Sequence, residues 1–280
     1  MNVAVTGASG FIGRRVTEIL QAQGHSVRPV SLRSSIATEQ FSGCEAVVHL
    51  AGEPVAQRWT AAARRRILDS RVEGTRKLVR ALREHPPNAM VSASAIGYYG
   101  FHGDRILTEQ SPAASDFLGV VASAWEREAM EAENLGVRVI RLRIGVVLGP
   151  GGGALQKMLL PFRLGLGGRI GSGEQWMSWI HLDDLCAMML FALREPTLRG
   201  VLNATSPHPV TNAEFTRALA RALHRPAVLP VPAFALRVAF GQMSEILLGS
   251  QRVLPEATVR AGFEFEYPEI GAALLQILHA

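Results

Sequence analysis

The stretch Asn2-Val3-Ala4-Val5-Thr6-Gly7-Ala8-Ser9-Gly10-Phe11-Ile12-Gly13-Arg14-Arg15-Val16-Thr17-Glu18-Ile19-Leu20 decides the fold. Asn2-Val3-Ala4-Val5 reads as a strand, and Arg14 to Leu20 reads as an amphipathic helix. The glycines between them differ in what they allow. Gly7 makes the tight turn, Gly10 lets the backbone approach a pyrophosphate, and Gly13 lets the helix pack closely on the strand. The unpaired N–H groups and the dipole at the helix N-terminus favour an anion there. Three glycines at this spacing say little in isolation. Their position after a strand and before a helix makes Thr6, Gly7, Ser9, Gly10, Phe11, Ile12 and Gly13 candidates for holding a dinucleotide.

Working outward, Ser26-Val27-Arg28-Pro29-Val30 reads as a second strand that ends in Ser31-Leu32-Arg33-Ser34-Ser35. An acidic residue at that end would hold a ribose 2′-hydroxyl, and none is present. Hydroxyls and a guanidinium, with Ser31 and Arg33 foremost, point instead to a 2′-phosphate and so to NADP(H). A solvated loop arginine is the bland alternative for Arg33. Residues 36–43 are too few for a full crossover, so a third strand must be abbreviated or absent. The apolar run 46–50 is a buried parallel strand, and its end, Leu50-Ala51-Gly52, is small enough for a cofactor to pass closely.

A long helix follows, with Arg64-Arg65-Arg66 on its wet face and Val72, Leu78, Val79 and Leu82 at helical spacing, and it stops before Pro86-Pro87. Next come a strand over 89–94 that contains Ser92, a candidate cofactor contact, and Ser94, a helix over 118–135 and a strand over 137–142. This alternation predicts an α/β fold of Rossmann type: a doubly wound parallel sheet with a smaller, mainly helical C-terminal substrate lobe. Gly151-Gly152-Gly153 marks the boundary. Residues 1–152 plus 178–204 form the expected NADP-binding domain, and 153–177 plus 205–280 the lobe. Within them a helix over 155–166, a strand over 176–181, a helix from Asp183-Asp184 and a strand over 200–204 are expected.

The chain has 280 residues and a formal net charge of +5, carried almost wholly by arginine, since Lys77 and Lys157 are its two lysines. The arginines are dispersed and not interleaved with aromatics, which argues against nucleic acid as a partner. Cys44 and Cys186 lack metal spacing and read as buried thiols in a reducing, cytoplasmic compartment. The apolar stretch 228–248 is broken by Pro230, Pro232, Arg237 and Glu245, so no membrane span is expected. No metal site is expected either.

Together these segments resemble the extended short-chain dehydrogenase/reductases, the group of sugar-nucleotide epimerases and dehydratases. The resemblance is carried by 6–13, His49-Leu50-Ala51-Gly52, the serine strand 92–100, the turn 145–150 and Trp179-Ile180-His181-Leu182-Asp183-Asp184-Leu185. Residues 49–54, Arg58-Trp59-Thr60 and 175–181 narrow it to the atypical subfamily known as epimerase family proteins. The resemblance implies a serine and a Tyr-x-x-x-Lys pair, the lysine lowering the tyrosine pKa. Ser94 matches the serine, but the helix from Leu118 contains neither tyrosine nor lysine.

This leaves three readings of the chemistry. Ser94 with Tyr98 or Tyr99 runs a rearranged relay, Tyr99 being the tyrosine the family keeps near the nicotinamide. Alternatively His181 or a water handles the proton of a redox enzyme, or the chain binds NADP(H) without turnover as a sensor or scaffold. The expected activity is oxidoreduction or epimerisation of a hydroxylated, nucleotide-linked or free small molecule. A homodimer seam over 64–83 and 118–135 is a further expectation from the family.

Overall fold

In the computed structural model, which describes residues 1–279, strands β1 (Asn2–Thr6), β2 (Ser26–Val30), β3 (Ala46–His49) and β4 (Ala89–Ala95) join Arg138–Ile144 and Gly200–Ala204 in one sheet. The order across it is Gly200–Ala204, Arg138–Ile144, β4, β3, β1, β2, and every pairing is parallel. Strand side chains alternate between faces, so β1 buries Val3 and Val5 on one side and Ala4 on the other. Helices α1 (Phe11–Ala22) and α5 (Leu182–Arg194) cover the first face through Val16, Leu20, Leu185, Met188 and Met189. Helices α2 (Ala61–Ala81) and α3 (Phe117–Met130) cover the second through Leu78, Val79 and Ala129. Both faces being dry, the strands read as continuous apolar runs.

The chain runs outward from β1 to β2 and then returns to place β3 on the opposite side of β1. That reversal opens a crevice beyond the carboxyl ends of β1 and β3, where open α/β sheets bind their ligands. Between β2 and β3 stands only one 3₁₀ turn, Thr38–Phe41. Phe41, fully buried, packs in the same core cluster as Val30 and Val47.

The smaller part holds α4 (Gly153–Arg163), α6 (Asn212–Ala222) and the final helix Ile270–His279 around Leu155, Phe162, Phe215, Leu219 and Leu274. Two contacts tie it and α5 to the sheet side. Arg15 of α1 makes a two-pronged ion pair with Asp183, and Asp184 accepts the N–H groups of Glu266 and Tyr267.

Three boundaries differ from expectation. The helix expected over 118–135 ends at Met130 and continues as a 3₁₀ turn to Leu135, closed by Gly136 at φ 80°. The helix expected over 155–166 occupies Gly153–Arg163. The strand expected over 176–181 is split at Ser178, whose hydroxyl donates to the Gln251 carbonyl and accepts the Val253 N–H. No helix among the described residues is long and apolar enough to cross a membrane, and no group of His, Cys, Asp and Glu among them could hold a metal ion.

Candidate functional site

The site begins at the turn between β1 and α1. Gly7 has φ +71°, and a Cβ there would stand 2.9 Å from the Ala51 nitrogen, so the turn lies against the end of β3. A Cβ on Gly13 would come within 2.1 Å of the Gly7 carbonyl oxygen, so a glycine in the first turn lets the helix lie this close to the strand end. Gly10 meets only the Gly7 oxygen, at 3.2 Å, and its outer side is open. Gly10 is also the N-cap of α1, with no side-chain cap and no acidic residue in the first turn. Helices α2, α3, α5 and α6 are capped by Thr60, Asp116, His181 and Thr211. The first N–H groups of α1 thus keep their donors and their positive end for an anion, which fits a dinucleotide pyrophosphate.

At the end of β2, Ser31 and Arg33 are exposed, and Arg33 forms no ion pair among the described residues. Leu50 and Ala51 are half-buried and Gly52 exposed at the end of β3. Phe11 packs its ring against Gly152 and Gly153, while Ile12 packs on the core and Ser9 is exposed.

Other expected site residues have their side chains committed elsewhere. Thr6 is fully buried, its hydroxyl bonded to His49 Nδ1 at 2.7 Å and accepting the Leu50 N–H. It fixes the end of β3 from behind. His49 meets Thr75 on its other nitrogen, and burial followed by the charge of Arg71 pushes its pKa down to about 4, so it is a neutral core histidine. Ser92 is buried against its own strand, its hydroxyl turned to the Ala93 carbonyl.

Ser94 and Tyr99, expected to run a rearranged relay, are bonded to other side chains. Ser94 donates to Glu126 at 2.7 Å, and Glu126 accepts two N–H groups of Arg143. Tyr99, with no exposed surface, donates to Asn203 and accepts from Arg143. Burial pushes its phenol up to about 12 against the charge of Arg143, away from the range useful to a base. Tyr98 lies under the Arg143 guanidinium at 3.3 Å. His181 caps α5, accepting the Asp183 N–H on Nδ1, so its protonated Nε2 donates to Gln276. Burial lowers its pKa.

A cavity of about 350 Å³ opens beyond the ends of β4 and Arg138–Ile144, and none of Ser94, Tyr98, Tyr99 and His181 lines it. Ala95, Ile96 and Gly97 enter it from the end of β4, and Leu118, Val121, Ala122 and Trp125 from α3. Ile144 and Gly145, with Trp176, Met177, Ile246 and Leu247 of the lobe, close the remaining walls. Because neighbours on a strand face opposite ways, Ala95 enters where Ser94 cannot. Leu118 and Ala122 lie four apart on one face of α3, a helix that carries neither tyrosine nor lysine. Polar groups are few: Gln175, Ser178, Asn212, Gln251 and one charged residue, Arg71.

The motifs do not single out Arg71. The one usable signal is its place in the buried stripe of α2, four residues from the buried Ile67 and Thr75. Trp176 and Met177 line the cavity as an aromatic, sulfur-bearing wall, whereas Trp179 is core.

A nucleotide-binding crevice at a strand-order reversal, with a small lobe over an adjacent cavity, defines an extended Rossmann-type dehydrogenase/reductase fold. The family model described as "NAD dependent epimerase/dehydratase family" matches residues 3–204, and a "domain of unknown function (DUF1731)" matches 231–277. The chain belongs to the NAD dependent epimerase/dehydratase family. It is 40% identical to the chloroplastic epimerase family protein SDR39U1 homolog of Arabidopsis thaliana, over 99% of this chain and 87% of that one. It is likewise 40% identical to epimerase family protein SDR39U1 of Mus musculus, over 99% and 100%. Human epimerase family protein SDR39U1 (isoform 2), whose crystal structure was solved with NADPH, superposes with a TM-score of 0.92 at 38% identity, covering 100% and 99% of the two chains.

Proposed function

We propose that this chain binds NADP(H) and is an oxidoreductase or epimerase for a small hydroxyl- or carbonyl-bearing molecule held in the apolar cavity. The observation that carries the reading is the uncapped N-terminus of α1 at Gly10, entered by a turn whose Gly7 lies against the end of β3, with Ser31 and Arg33 exposed after the neighbouring strand β2. The NADPH held by the human relative supports it. Gly10, Phe11, Ile12 and Gly13 would take the pyrophosphate on backbone donors, and Ser31 and Arg33 the 2′-phosphate. When bound, the nicotinamide supplies or accepts a hydride.

The chain's own share is orientation and exclusion of water. The cavity walls are nearly all apolar, and no side chain lining them other than Arg71 is ionisable. A Tyr-x-x-x-Lys proton relay therefore has no counterpart on α3. The reaction that suits this site draws its proton from water admitted at the mouth, or needs no side-chain acid in the step that moves the hydride. A silent NADP(H) sensor is the second reading, favoured by that same lack of acid–base groups. Stereospecifically deuterated NADPH and a panel of aldehydes and ketones separate the two. Deuterium transferred to carbon in any product supports the enzyme. Tight NADPH binding with no transfer to any of them supports the sensor.

A further inference from the structure

Arg71 is the single charged side chain lining a mostly apolar cavity. It reaches in from α2, with its guanidinium carbon 4.9 Å from the centre of the Trp125 ring. A Cβ built on Gly52 would stand 3.2 Å from that carbon and 3.3 Å from Nη2, so Gly52 leaves the room the guanidinium occupies. Nη1 is held from behind by the carbonyls of Glu53 and Ile67. Nη2 and Nε have no protein partner among the described residues, and they are not among the buried polar atoms lacking one. Arg71 forms no ion pair among the described residues; Glu53, whose charge acts on it, pairs with Arg66 at 3.6 Å. Burial pushes the Arg71 pKa down to about 10, the charge of Glu53 opposing it, and the side chain is still a cation at neutral pH.

A desolvated cation without a counter-ion is costly unless something offsets it. A guanidinium that lines a cavity and keeps two nitrogens free of protein partners can take the oxygens of one anion. One cation also limits the ligand. A nucleoside diphosphate would bring at least two negative charges into walls that offer one compensating group, leaving charge stranded among leucine, valine and methionine side chains. We infer that the cavity takes an apolar molecule bearing one carboxylate, anchored by Arg71, and that nucleotide sugars are excluded from it. The inference rests on the reading of this cavity as the substrate site but not on the cofactor assignment. Val55, Ala56, Leu118, Met158, Ile246 and Leu247 would hold the hydrocarbon body.

The test is calorimetric titration of the full chain with decanoate, 2-decanone and NADPH, in the wild type, Arg71→Gln and Arg71→Lys. Decanoate and 2-decanone share a body and differ in the head group. The wild type is expected to bind decanoate at least tenfold more tightly than 2-decanone. Arg71→Gln should remove that preference while changing 2-decanone and NADPH affinity less than threefold, and Arg71→Lys should keep most of it. A wild type with no preference for decanoate overturns the inference. So does an Arg71→Gln variant that loses NADPH tenfold and leaves decanoate unchanged, because the guanidinium then serves the cofactor. Tight binding of a nucleoside-diphosphate sugar at this cavity overturns it as well. Loss of NADPH binding in the wild type would contradict the proposed function and leave the decanoate comparison intact.

Discussion

Glu126→Ala tests whether the serine strand is built for stability or for proton transfer. Glu126 and Arg143 expose 5% and 4% of their side chains. The carboxylate accepts from Arg143 Nε at 2.8 Å and Nη2 at 2.9 Å, and from the Ser94 hydroxyl at 2.7 Å. Removing it leaves a buried guanidinium with no counter-charge and a buried hydroxyl with no acceptor. Breaking one half of a buried pair costs roughly 3–5 kcal/mol, and in a chain of this size that lowers Tm by about 6–20 °C. The double variant Glu126→Leu with Arg143→Met removes the buried pair but leaves Arg141, 3.7 Å from Glu126, without its carboxylate, so it should recover part of the loss and not all of it. Urea midpoints and thermal scans measure both, with NADPH titration alongside, because none of these groups lines the cavity and cofactor affinity should hold within about twofold. A loss below about 1 kcal/mol in Glu126→Ala would refute the electrostatic argument. Loss of turnover at unchanged stability would return Ser94 and its partners to the catalytic site.

Ser94→Ala deletes a hydrogen bond to a charged acceptor and should cost about 1.5–3 kcal/mol of stability with turnover kept; the reverse pattern in matched urea and activity assays would sink the structural role. Gly13→Ala forces its new methyl within 2.1 Å of the Gly7 oxygen, so α1 must move. NADPH affinity should then fall by roughly tenfold or more, because anion donors displaced by about an ångström no longer converge; an unchanged affinity would show that the turn is not the cofactor cradle. His49 has a folded pKa of about 4, below the usual 6.5. The unfolded chain binds the extra proton, so this contribution is intact above pH 6.5 and lost as pH falls toward 4. Between pH 7 and pH 5 it should lose roughly 2 kcal/mol. Urea midpoints at the two pH values, compared with His49→Gln, read it out, and an identical pH slope in both proteins would count against it.

Much of the fold was legible because it follows from short-range signals. The glycine spacing of 7, 10 and 13, the apolar runs of β1 and β3 and the interval 36–43, too short for a crossover, are each statements about local geometry. The absence of tyrosine and lysine on α3 was legible for the same reason. What was not legible depended on phase. Ser94 and Ala95 differ by one residue, and on a strand that difference turns one side chain toward Glu126 and the other into the cavity. Tyr99 was hidden by packing: its hydroxyl meets Asn203, 104 residues away, a contact no spacing announces. Arg71 sits on a helix crowded with arginines, and only the position of α2 against Gly52 and Trp125 picks it out as the inward one. His181 fell in the same class, since capping α5 and meeting Gln276 at the end of the chain fixes its tautomer.

The cofactor assignment is tested most directly by calorimetric titration of the wild type and Arg33→Ala with NADPH and NADH. The wild type should bind NADPH roughly 10- to 100-fold more tightly than NADH, the worth of charge-assisted bonds to one phosphate. Arg33→Ala should lose most of this preference while NADH affinity is nearly unchanged. Equal affinity for the two nucleotides in the wild type would contradict the 2′-phosphate assignment to Ser31 and Arg33, and no binding of either would contradict the dinucleotide reading as a whole.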